Sequence, residues 1–128
     1  MKPKMEPFYT IDNRRYNPSN ILHITIQTDQ GAETTTIQLV GLATPVVYTR
    51  SDSEEIYMQI LIMVDQLIRT SKRFYTIGNR HYNTARILYV TIDPDVSVSI
   101  QLLGFVTPIT YTKSESETEY NQVLKMVE

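Results

Sequence analysis

The chain contains no cysteine and no tryptophan, and only four of its 128 residues are glycine. Without cysteine there is no disulfide framework, no thiol nucleophile and no thiolate metal site. An excess of charge of one sign is missing too. Twelve basic residues stand against 14 acidic ones, a net charge of −2, so no chain-wide attraction draws the protein to nucleic acid or anionic lipid. Long apolar runs are lacking as well. The most apolar stretch, residues 56–68, is interrupted by Gln59, Asp65 and Gln66, and it falls short of the roughly 20 residues a membrane helix needs. Residues 1–7 carry Lys, Glu and Pro and no signal-like apolar segment, so a soluble, cytoplasmic protein without a membrane partner is expected. What remains is globular in composition, 41% hydrophobic and 20% charged, over the length of one ordinary domain.

The dominant positive feature is that the chain is written twice. FYTIDNRRYN at 8–17 returns as FYTIGNRHYN at 74–83, an offset of 66. Residues 8–27 match residues 74–93 at 12 of 20 positions, and residues 36–65 match 99–128 at 16 of 30, with the offset reduced to 63. Chance does not produce this agreement, and internal repetition sets the architecture.

Both copies have the same local grammar. A short β-type run at 8–11 leads into an Asn-Arg-x-Tyr-Asn connector, whose asparagines suit turn conformations. Residues 21–26 then alternate, with Leu22, Ile24 and Ile26 on one face and His23 and Thr25 on the other. Leu88, Val90 and Ile92 alternate with Tyr89 and Thr91 in the second copy. A polar loop at 27–35 precedes a third strand (Ile37, Leu39; Ile100, Leu102), a Gly-x-x-Thr-Pro punctuation and a fourth strand at 46–49 or 109–112. Ser51-x-x-Glu54 and Ser114-x-x-Glu117 read as capping boxes that open helices. Tyr57, Ile60, Leu61, Val64 and Leu67 form one helical stripe, and Tyr120, Val123, Leu124 and Val127 the other. The expected fold is therefore α+β: an internally duplicated ββββα repeat with two antiparallel four-stranded sheets and two helices. A unit of about 60 residues is marginal alone. Residues 1–128 are thus expected to form a single domain of two intertwined repeats, 8–68 and 74–128, related by a pseudo-twofold axis and joined by the linker 69–73.

Duplicated ββββα resembles the Whirly and PUR-alpha type single-stranded-DNA-binding folds, and in size and repeat grammar the chain is similar to small cyanobacterial proteins of that group. The likeness covers residues 8–128 and is one of topology. The Lys-Gly-Lys-Ala-Ala-Leu segment that plant Whirly proteins use for DNA binding and assembly has no counterpart here, so no binding residue carries over. The resemblance implies single-stranded DNA or RNA as a partner.

Catalysis is not expected. His23 and His81 occupy non-equivalent repeat positions, Ser51 and Ser114 suit caps better than nucleophiles, and Asp93-Pro-Asp95 reads as a turn. No cofactor or metal is expected either, because there is no glycine-rich phosphate loop and no cluster at ligand spacing. Two binding readings stay open. The connectors and the strand that follows supply Arg14, Arg15, Tyr16, Arg80, Tyr82, Arg86 and Tyr89 as a nucleic-acid or anion site: guanidinium forks for phosphate, rings for bases. The alternative is a protein–protein assembly module with no nucleic-acid role. Met58 and Ile62 project from the outer face of helix one, where helix two has Asn121 and Lys125. They are therefore candidates for a homo-oligomer interface.

Overall fold

Two β-hairpins with two-residue turns set the geometry of this protein. The structure, a computed structural model, describes residues 8–29, 32–70 and 73–128. The first hairpin joins β1 (Tyr9–Ile11) to β2 (Arg14–Tyr16), and the other joins β6 (Phe74–Ile77) to β7 (Arg80–Asn83). Ile11 pairs with Arg14 and Ile77 with Arg80, leaving two residues in each turn. The first of those two has positive φ, 57° at Asp12 and 62° at Gly78, as such a turn demands. The connector is therefore not a loop. Its Arg-x-Tyr segment is a strand, and its second Asn closes a 3-10 turn. Asn17 Oδ1 accepts from the Ser19 amide at 3.1 Å, and Asn83 Oδ1 from the Ala85 amide at 3.0 Å.

After each hairpin comes a three-stranded meander and a helix. The first half continues with β3 (Ile21–Asp29), β4 (Ala32–Leu39), β5 (Val46–Thr49) and α1 (Glu54–Thr70). The second has β8 (Ile87–Asp93), β9 (Ser97–Leu102), β10 (Ile109–Thr112) and α2 (Glu117–Val127). The order of elements is the same in both, with five strands per half where four were expected. Most of the loop expected at 27–35 is strand, because the Thr-rich β4 keeps pairing with β3 as far as Asp29 and Ala32. The helices start three residues after the expected caps, at Glu54 and Glu117. Ser53 Oγ accepts from the Ile56 amide at 3.2 Å, so Ser53, not Ser51, caps α1. Of the expected linker, residues 69 and 70 belong to α1 and 71–72 lie outside the described residues.

The strands form three sheets, ordered β1-β2, β5-β4-β3-β7-β6 and β10-β9-β8, not two sheets of four. The reason is that the second hairpin leaves its own meander and extends the sheet of the first half, β7 lying antiparallel along β3. Its two faces then serve two cores. Phe74 enters the first, with Ile11, Ile24, Ile37 and Ile60, while Ile77 and Tyr82 enter the second, with Val98, Ile100 and Val123. The exchange is not reciprocal: β1-β2 pairs with no other described strand. The halves meet head to tail, which departs from the expected pseudo-twofold.

Candidate functional site

The residues singled out for nucleic acid lie in two unlike environments. Tyr16 is 2% exposed and Tyr82 wholly buried. Each ring lies in its half's core, and each hydroxyl meets another at 2.7 Å, that of Tyr48 and of Tyr111 respectively. Burial, reinforced by these bonds, pushes the Tyr48 and Tyr111 hydroxyls well above their ordinary pKa. Neither Tyr16 nor Tyr82 offers a ring face to a base.

Arg80 and Arg86 are committed to joining the halves. Arg80 Nε donates to Thr25 Oγ1 at 2.9 Å, and its guanidinium lies 5.9 Å from the centre of the Tyr82 ring. Arg86 Nε donates to the Ser19 carbonyl at 2.8 Å. Arg14 and Arg15 are exposed on β2, with Arg14 Nη1 reaching the Tyr16 hydroxyl at 3.3 Å. Tyr89 is 59% exposed on β8, in a different sheet from those two arginines. On α1, Met58 and Ile62 are exposed and Tyr57, Ile60, Val64 and Leu67 of the expected stripe are buried; Leu61 is only half-buried, and Met63, outside that stripe, is buried instead.

The junction between the halves was not visible in the strand pattern. His23 and Thr25 alternate like solvent-facing residues, yet both are buried beneath the second half. The His23 ring sits edge-on to Tyr82 and to Phe105, 5.8 Å from each. Desolvation there, aided by the charge of Arg80, lowers its pKa from 6.5 to about 3, so the imidazole is neutral. Asn83, also fully buried, donates from Nδ2 to the Ile21 carbonyl at 2.9 Å while its Oδ1 caps the 3-10 turn. Phe105 is held in place by Gln101, whose Nε2 donates to its carbonyl at 2.7 Å. Gln38 does the same for the Leu42 carbonyl at 2.9 Å.

Against this closed junction stands an open one. β8 pairs with β9 on one side and with no described strand on the other. Its outward apolar residues are bare: Leu88 is 57% exposed and Ile92 43%, where the corresponding Leu22 of β3 is 2% exposed. The signal that could have found this edge was the repeat alignment read against topology, since exposure depends on which strands acquire neighbours.

Comparison with protein-family models, curated proteins and solved structures finds no match to this chain. No helix among the described residues is long and apolar enough to cross a membrane.

Proposed function

We propose that the protein is a non-catalytic assembly module whose subunits join by adding a strand to the open edge of β8. The observation that carries this reading is the exposure of Leu88, Tyr89 and Ile92 on a strand whose counterpart β3 is covered. Natural edge strands are blunted by lysine, proline or inward-pointing charge. Ile87–Ile92, Ile-Leu-Tyr-Val-Thr-Ile, has none of these, its only interruptions being the irregularity at Leu88 and the Asp93 that ends the strand. Strand addition satisfies the free amides and carbonyls, and each large apolar side chain covered contributes about 1.5–3 kcal/mol. The nucleic-acid reading, by contrast, has lost two of its three rings to the cores and two of its four arginines to the junction.

Sedimentation velocity across a wide concentration series tests the proposal. The wild-type chain is expected to self-associate. The Tyr89→Lys/Ile92→Lys chain should stay monomeric with an unchanged circular dichroism spectrum, because both positions are exposed. Met58→Lys/Ile62→Lys on α1 should leave association intact. A wild-type monomer at every concentration, or assembly that survives the β8 substitutions, contradicts the proposal. Salt-sensitive binding of labelled single-stranded DNA or RNA that Arg14→Glu/Arg15→Glu abolishes would favour the nucleic-acid role instead.

A further inference from the structure

One copy of a docking reaction is already made inside this chain. β7 lies along β3 with His23 opposite Tyr82, Ile24 opposite His81 and Thr25 opposite Arg80. The Ile26 amide donates to the Asn79 carbonyl at 3.0 Å, and the Asn83 side chain reaches the Ile21 carbonyl at 2.9 Å. Phe74, at the start of the same hairpin, is only 7% exposed because it enters the first core.

The repeat offset of 66 converts this contact into a second one. The donor hairpin becomes β1-β2, and the acceptor strand becomes β8. Tyr16 then falls opposite Tyr89, Arg15 opposite Val90 and Arg14 opposite Thr91, with the Asn13 carbonyl facing the Ile92 amide. Both surfaces are present and open. On the donor side β2 has no described strand along its outer edge, and Phe8, the counterpart of Phe74, is 58% exposed. On the acceptor side Leu88, Tyr89 and Ile92 are bare. The ring sockets correspond too. In the closed junction Tyr82 and Phe105 hold His23. Their counterparts Tyr16 and Leu42 line a groove of about 340 Å³ beside β2, shared with Arg14, Asn17 and Asn20. That groove is where the Tyr89 ring would seat.

We infer that the partner at the β8 edge is the β1-β2 hairpin of a second copy of this chain, docked in the register that β7 adopts on β3. The inference rests on the assembly reading and names its occupant. Within one chain the hairpin is tied to the first core through Ile11 and Tyr16, while no described strand pairs with β8 on its outer side. The two surfaces therefore meet between chains. Donor and acceptor differ, so the contact is heterologous, and the rotation it imposes decides between a closed ring and a filament.

Because the chain has no cysteine, engineered disulfides give an unambiguous test. The Ile26–Asn79 bond makes the neighbouring Thr25–Arg80 pair one of the non-hydrogen-bonded type, in which Cα atoms lie about 4.5 Å apart, within disulfide reach. Arg14 and Thr91 are the equivalent pair, and both are exposed. Full-length Arg14→Cys and Thr91→Cys chains, mixed and mildly oxidised, should form a mixed disulfide dimer. Neither chain should cross-link alone, and Arg15→Cys, on the opposite face of β2, should not cross-link to Thr91→Cys. Independently, Phe8→Ser should weaken association by about tenfold to a hundredfold without altering the fold. Thr91→Cys chains linking to one another would overturn the hairpin as occupant. So would β8-dependent assembly with no Arg14–Thr91 disulfide. In both cases strand addition at β8 would survive. A wild-type chain that stays monomeric would overturn both.

Discussion

Strands β3 and β8 are nearly the same peptide, Ile-Leu-His-Ile-Thr-Ile at 21–26 and Ile-Leu-Tyr-Val-Thr-Ile at 87–92. Each carries an irregularity at its Leu, and each pairs with the strand that follows it. Yet the first five residues of that peptide are buried in β3, while in β8 only Ile87 and Val90 are even half-buried. Propensity and alternation cannot account for the difference, because both strands have them. What differs is the neighbour: β3 has a hairpin beside it and β8 has none among the described residues. Burial here is a property of the pairing, and an edge strand left unpaired is a template on which a further strand can add.

The comparison can be broken most severely at Asn83. Asn83→Ala removes the cap of the 3-10 turn and leaves the buried Ile21 carbonyl short of a donor, with an expected cost of about 3 kcal/mol. Asn17→Ala in the first half forfeits the cap and the bond from the Ser19 hydroxyl but leaves no buried carbonyl unpaired across the halves, about 1 kcal/mol in the monomer. Urea denaturation of the two variants at a concentration where the chain is monomeric should separate them. Equal losses would mean that the closed junction contributes nothing through Asn83.

His23 sharpens the same contrast through pH. Its folded pKa of about 3 lies below its ordinary 6.5, so the unfolded chain binds the proton more readily. Stability contributed by the neutral ring is therefore full above pH 6.5 and is lost as pH falls towards 3. Between pH 6.5 and 5 the expected loss is about 2 kcal/mol. Part of any slope comes from His81, whose pKa burial also lowers. His23→Phe should accordingly flatten most, not all, of the dependence measured by denaturation over that range. An unchanged slope would mean that the His23 ring is hydrated in solution.

These residues also mark how far the sequence could be read. The helix stripes, the alternating strands and the repeated order of elements were legible because each is a local pattern. The connector was misread for a local reason as well. Asn-Arg-x-Tyr-Asn has turn-forming ends, but the turn is the two residues Asp12-Asn13 or Gly78-Asn79, which frees Arg-x-Tyr to be a strand. Tyr16 and Tyr82 looked available because their partners, the hydroxyls of Tyr48 and Tyr111, lie about thirty residues away in the chain. Thr25 and His23 alternate as a solvated face would and are covered by residues more than fifty positions distant. Phe8 and Phe74 occupy equivalent places in the repeated peptide, yet Phe74 enters the first core while Phe8 is 58% exposed. Local chemistry thus fixed the elements, and the unequal environments of equal segments came from long-range pairing.

The central claim, that β8 is joined along its open edge in solution, is tested most directly at one amide. The Ile26 amide is bonded to the Asn79 carbonyl, and its counterpart Ile92 faces the side of β8 along which no described strand runs. Residue-resolved hydrogen exchange should be followed for both amides as the protein is concentrated. Ile26 should be protected throughout, and Ile92 should pass from rapid exchange to comparable protection as chains associate. Rapid exchange at Ile92 at every concentration, with Ile26 protected, would contradict the claim.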